Sequence, residues 1–190
     1  MHSALKYLCV TALLIASLST AHAFDGNRKG FQIGLGVGAH TTALNFSDSN
    51  RPGNFEAEQN VAVALHLGYG FSNTITGFIG GKGGSVAING VDRSLAFSGI
   101  GATIYLSESS PSLYVTGLAG RGSITLDQLD DDNSDLRDTG PAWLAGIGYE
   151  VTDRLHLEFN YGRAELVDPN NDRNTSELES AFATISYIWY

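Results

Sequence analysis

Residues 143–162 read Trp143-Leu144-Ala145-Gly146-Ile147-Gly148-Tyr149-Glu150-Val151-Thr152-Asp153-Arg154-Leu155-His156-Leu157-Glu158-Phe159-Asn160-Tyr161-Gly162. Trp143, Ala145, Ile147, Tyr149 and Val151 alternate with Leu144, Gly146, Gly148 and Glu150. After Thr152-Asp153, a second run sets Leu155, Leu157, Phe159 and Tyr161 against His156, Glu158, Asn160 and Gly162. A period of two is the strand signal, because successive side chains point to opposite faces of a sheet. A helix would scatter these apolar residues around its circumference, and the glycines would weaken it. The stretch predicts an antiparallel hairpin with one apolar face and one face of small and polar residues.

The pattern recurs along the chain. Phe31, Ile33, Leu35 and Val37 alternate with Gln32, Gly34, Gly36, Gly38 and His40. Val61, Val63, Leu65, Leu67, Tyr69 and Phe71 alternate with Asn60, Ala62, Ala64, His66, Gly68 and Gly70. Thr74–Gly84, Arg93–Leu106, Ser112–Ile124 and Glu179–Tyr190 read as four further strands with less regular faces, giving eight. Around Ser98-Gly99 the apolar positions slip by one, from Leu95 and Phe97 to Ile100, Ala102, Ile104 and Leu106, as a bulge would cause. Long connections (42–58, 85–92, 126–138, 165–177) alternate with short ones at Ser72-Asn73, Ser107–Pro111 and Thr152-Asp153. Long and short loops therefore fall on opposite ends of an up-and-down sheet, as in a transmembrane β-barrel.

Two eight-stranded barrels produce such alternation. A soluble, lipocalin-like barrel turns its apolar face inward and carries a charged exterior, whereas a membrane barrel turns its apolar face to lipid. Here the second face is mostly Gly, Ala, His and Asn, and only 16% of all residues are charged, against an average near 25%. Small residues suit the crowded interior of a narrow barrel, and Tyr69, Phe71, Tyr149, Tyr161 and Tyr190 stand toward strand ends, where aromatic girdles lie. The 23 glycines show no G-x-y period. A net charge of −9 argues against nucleic-acid binding, which needs a cationic surface. In lipid the sheet must close, because unpaired backbone groups cost several kcal/mol each.

The first 23 residues read as an export signal. Lys6 precedes an apolar run, Leu8–Ala16, and Ala21-His22-Ala23 is a small-x-small cleavage site. A run of about ten residues is too short for a spanning helix, which needs ~20. Cys9 would leave with the signal, so residues 24–190 form a cysteine-free barrel domain without disulfides.

The chain ends Ala181-Phe182-Ala183-Thr184-Ile185-Ser186-Tyr187-Ile188-Trp189-Tyr190. A terminal aromatic with Ile188 and Phe182 before it resembles the C-terminal signal of bacterial outer-membrane proteins. Residues 146–163, with a Gly-rich strand, a Thr-Asp turn, an alternating strand and Tyr161-Gly162-Arg163, resemble the penultimate hairpin of OmpA-like and OmpX-like barrels. The resemblance implies an all-β fold, an eight-stranded antiparallel up-and-down transmembrane barrel in the cell outer membrane. It implies insertion by the barrel-assembly machinery through Phe182, Ile188 and Tyr190. It also implies surroundings of outer-membrane lipids and lipopolysaccharide, a monomeric state, and a non-enzymatic role in envelope integrity or surface-loop interactions of an adhesion-type or structural kind. A narrow channel for small solutes and a lipid-modifying enzyme are the alternatives.

Chemical motifs are sparse. Gly34-x-Gly36-x-Gly38 lies within an alternating strand, not at a strand-to-helix turn, so it is no dinucleotide fingerprint. Gly80-Gly81-Lys82-Gly83-Gly84-Ser85 lacks a Ser or Thr directly after the lysine and a following helix, so it is no phosphate loop. The inward histidines His40, His66 and His156 read as polar filling; neither His66 nor His156 starts the His-x-Ser pair of lipid A deacylases. No catalytic residue and no cofactor is expected. Glu150 and Glu158 fall on the inward face, where buried carboxylates need cations. His66, Lys82, Arg121, Glu150, His156, Glu158 and Arg163 are therefore expected to form a structural network in the lumen. Asp127, Asp130, Asp131, Asp132, Asp135 and Asp138 form an acidic loop that could hold a divalent cation but lacks the EF-hand pattern.

Overall fold

The computed structural model describes residues 27–46, 55–56, 60–88, 91–126, 136–168 and 171–190. The export segment 1–23 lies outside them. The strands are β1 (Gly30–Phe46), β2 (Phe55–Glu56), β3 (Asn60–Gly70), β4 (Ile75–Ile88), β5 (Val91–Tyr105), β6 (Ser112–Leu126), β7 (Leu136–Glu150), β8 (Leu155–Asp168) and β9 (Asn171–Trp189). All pairings are antiparallel between neighbours, and β1 also pairs with β9. Eight strands thus close a barrel, while two-residue β2 lies against Ala43 and Leu44 of β1. Closure satisfies every ladder and removes the edges.

The stagger follows from the register. A path across the ladders runs Gly34, His66, Gly80, Gly99, Gly120, Ala142, Ala164, Leu178 and back to β1 at Leu44, ten residues from its start. Ten residues of ~3.3 Å over eight strands ~4.8 Å apart fix a strand tilt of about 40°. Ser72 and Thr152 shape two of the short turns: the Ser72 hydroxyl accepts from the Thr74 and Ile75 amides, and the Thr152 hydroxyl from those of Arg154 and Leu155.

The apolar face of each alternating strand points out. Leu35, Leu65, Ile79, Ile100, Ile147 and Phe159 are all exposed, in a belt far larger than the apolar patches a soluble monomer shows. Along β3 the belt runs from Val61 to Phe71, about 25 Å along the axis at this tilt. Tyr69, Phe71, Tyr149 and Trp189 mark its short-turn edge; Trp143 and Tyr161 mark the other. Tyr190 departs from the girdle expectation. It turns to the barrel mouth, its hydroxyl 3.5 Å from His156 Nε2, and Trp189 takes the girdle position.

The slip at Ser98-Gly99 is not a bulge. β5 pairs with both neighbours without interruption from Arg93 to Ile104. Phe97 is 0% exposed and Ile100 69%, so the strand runs straight while the preferred side of its apolar residues changes. The same inversion occurs elsewhere: Leu44 on β1, Ile124 on β6, Leu166 on β8 and Leu178 on β9 point inward, although most apolar residues nearer the short turns, Ile188 excepted, point outward. Outward positions beyond the inversion are polar, including Ser85, Ser94, Arg121, Arg163 and Glu165. The physical cause is a change of solvent. Hydrocarbon surrounds the lower barrel and draws apolar side chains out; water surrounds the upper collar and drives them in. The collar also explains why the strands outrun the expected boundaries. β1 has 17 residues and β9 has 19, whereas crossing a bilayer takes ~9–11.

Candidate functional site

The barrel interior is filled in three storeys. At the short-turn end Arg28, just ahead of β1, plugs the mouth. Its Nη2 lies 2.5 Å from Glu150 Oε2 and its Nε donates to Oε1 at 3.2 Å. Nη1 donates to the carbonyls of Asn73 and Ser107, one in each of two turns, and the guanidinium stacks 4.2 Å over the Tyr105 ring. Arg28 and Glu150 are fully buried, with His156 Nε2 3.8 Å from the carboxylate. A buried pair holds only when its remaining donors and acceptors are satisfied; the turn carbonyls do that for Arg28.

The middle storey centres on Glu158. Lys82 Nζ donates to Glu158 Oε1 at 2.6 Å, to Thr184 Oγ1 at 2.9 Å and to Asn160 Oδ1. The Tyr114 hydroxyl donates to Glu158 Oε2 at 2.9 Å. Tyr114 reaches across because Gly148 stands opposite it on β7; a Cβ there would fall on the phenol ring. His66 stacks on Phe78 at 4.6 Å, and its buried Nε2 has no hydrogen-bond partner. A cavity of about 60 Å³ lies between these groups.

The third storey is the apolar core of the collar. Phe97 and Phe182 meet edge to face at 5.9 Å, packed among Leu44, Leu95, Ile124, Leu166 and Leu178. His40 lies beside Phe182, its Nε2–H donating to the Ser85 carbonyl while Nδ1 accepts from Thr42.

The structure thus places His66, Lys82, Glu150, His156 and Glu158 in the interior, with Lys82 on Glu158. Two members of the expected lumen network are elsewhere. Arg121 is exposed on the outer surface, and Arg163 also faces out, where it pairs with Glu177. Both share strand parity with outward residues: Arg163 with Tyr161 and Phe159, Arg121 with Leu113 and Val115. Period-two alternation forbids them the lumen. Arg28, the partner of Glu150, was not foreseen, although its even parity with Gln32 and Gly34 continues the inward column. Phe182 and Ile188 are buried inward and Tyr190 is half-buried; the outward face of the last strand is Ala183, Ile185 and Trp189. Asp138 is buried on β7, and Asp127, Asp130, Asp131, Asp132 and Asp135 lie outside the described residues. Among the described residues no three His, Cys, Asp or Glu side chains group as metal ligands.

A closed antiparallel barrel with a lipid-facing belt and a packed interior defines a small outer-membrane barrel. The model of the outer membrane protein beta-barrel domain matches residues 10–185, and the chain belongs to that family. Its fold is similar to that of Neisserial surface protein A (TM-score 0.57, 16% identity, covering 84% of this chain and 97% of that one). It is also similar to Ail, the attachment invasion locus protein of Yersinia pestis (TM-score 0.54, 14% identity, 85% and 99% covered). No match is found among curated protein sequences.

Proposed function

We propose that the chain is a closed, non-enzymatic barrel that reinforces the outer membrane and presents its collar on the cell surface. There the expected long connections 85–92 and 165–177 are largely strand, with Ile88 paired to Val91 and Asp168 to Asn171. The observation that supports this reading is the filled interior: an ion pair at one mouth, a hydrogen-bonded network at mid-height and an apolar core in the collar. The collar orients the barrel. Its strands continue into water beyond the belt, which suits the cell-surface side and leaves the three short turns in the periplasm. The likeness in fold to Ail, an attachment invasion locus protein, supports a surface-presenting role.

We assign insertion to the C-terminal strand, lipopolysaccharide to the surroundings of the belt and collar, and a monomeric state to the closed barrel. Planar-bilayer recording of the folded full chain tests the closed interior. The expected trace is flat at voltages where open barrels conduct. Steady single-channel openings of the unaltered protein would overturn the reading in favour of a narrow channel for small solutes.

A further inference from the structure

Arg28 lies ahead of the sheet, yet its side chain is among the largest that are fully buried. Two glycines bring it there. Gly30, the first residue of β1, has φ +107°, and a Cβ on it would meet nothing within 4 Å. Glycine takes that conformation freely, and here it turns the preceding segment back toward the barrel axis. Gly70, paired with Gly30 across the ladder, lets the Arg28 carbonyl pass, where a Cβ would collide with it. Two side chains tie the Arg28 main chain: its N–H donates to Asn73 Oδ1 at 3.2 Å, and its carbonyl accepts from Gln32 Nε2 at 2.7 Å.

The groups around the guanidinium all belong to the barrel, not to the segment that carries the arginine. Both oxygens of Glu150 on β7 meet it, Oε2 at 2.5 Å from Nη2 and Oε1 at 3.2 Å from Nε. The carbonyls of Asn73 and Ser107, in two different turns, converge on Nη1. The Tyr105 ring centroid on β5 lies 4.2 Å from Cζ. A planar fork engages a carboxylate edge, two carbonyls and an aromatic face together, whereas an ammonium is a point charge that cannot span them. The receptor is thus built by strands and turns, and its occupant arrives on a glycine hinge.

We propose that the short-turn mouth is a guanidinium-binding site, which Arg28 fills as a ligand carried on a segment hinged at Gly30. The ligand class is a guanidinium group, on a small molecule or on the arginine of another polypeptide. A ligand on so short a tether acts at an effective concentration of about millimolar order. An outside guanidinium therefore enters when Arg28 swings out or is removed. This holds whether or not the storeys above close the barrel.

The test uses the full chain, folded into phosphatidylcholine vesicles, as Arg28→Ala. The temperature at which the compact gel form converts to the unfolded one should fall, and millimolar methylguanidinium should restore most of the loss. Methylammonium, of equal charge, should restore none, and neither should help Arg28→Ala/Glu150→Gln. Where Arg28→Ala does not fold unaided, its folding yield with each additive is read instead. A short peptide with a single arginine separates the two sources: restoration by it as well assigns a polypeptide ligand, and restoration by methylguanidinium alone a small one. Native mass spectrometry should show methylguanidinium retained about tenfold more by Arg28→Ala than by the unaltered chain, whose own arginine competes. Gly30→Ala, strained at this φ, should retain an intermediate amount. No restoration by methylguanidinium, equal restoration by methylammonium, or restoration that survives Glu150→Gln overturns the site. Retention by Gly30→Ala no greater than by the unaltered chain overturns the hinge.

Discussion

Of the three cations expected to answer the inward carboxylates, Lys82 is the one that the structure places in the lumen. It sits on the inward face of a glycine-rich strand and answers Glu158, which parity also turned inward. Arg121 and Arg163 were assigned to the same network because the lumen needed positive charge, and that need was weaker evidence than their odd parity. Arg28 escapes notice for another reason: it lies ahead of the alternating apolar run, and only extending the even parity of Gln32 and Gly34 back beyond the strand places it inward. The Lys82–Glu158 pair makes a clear prediction. Lys82→Met strands a buried carboxylate and should cost about 3–5 kcal/mol, whereas Lys82→Met with Glu158→Leu should recover most of that loss, since apolar replacement of both partners is often neutral. Urea titration of the folded gel form measures both. Gly148 tests the neighbouring contact. Gly148→Val drives a side chain into the Tyr114 ring and should cost about 1–3 kcal/mol by overpacking. Combined with Tyr114→Leu its cost should be less than additive, because both changes act on one contact.

β5 shows what a strand reveals and withholds. Its sequence displays two good alternating halves in opposite phase, and a reading confined to one solvent explains the join only by an extra residue. The structure keeps the ladder intact and changes the solvent instead. The four regular segments were legible because most of their apolar positions face hydrocarbon throughout. The others carry the inversion within their length, which blurs their faces and hides the collar ends. Two substitutions on β5 separate the explanations. Ile100→Arg puts a charge within the belt and should cost about 2–4 kcal/mol; Ser98→Arg, two residues further and on the same face, should cost at most about 1 kcal/mol, as near an interface. Folding yield into vesicles reads the difference. Equal losses would put the water boundary elsewhere. On β3, Leu65→Arg should behave as Ile100→Arg does, while Ala64→Ser, at the adjacent inward position, should be nearly silent.

At the scale of the whole molecule, the closed-barrel proposal predicts that the three storeys act in series, so that any complete one keeps the barrel closed. The ion pair at the short-turn mouth and the apolar collar are built from opposite chemistry and fail under different conditions. Removing the arginine opens the first but leaves Phe97, Phe182 and the leucines around them as a dry constriction. Trimming the phenylalanines opens a void in the collar; either Phe→Ala change should cost about 3–5 kcal/mol, yet the mouth stays plugged by Arg28. Arg28→Ala and the Phe97→Ala/Phe182→Ala pair are each expected to give flat planar-bilayer traces. Adding Lys82→Ala and Arg28→Ala to the collar pair should produce brief openings, provided the gel shift shows that the variant still folds. Openings with the collar pair alone would mean that the polar storeys do not seal. Ion flow would then already pass around Lys82 and Glu158 through the mid-height cavity, and the apolar core would be the barrel's sole barrier.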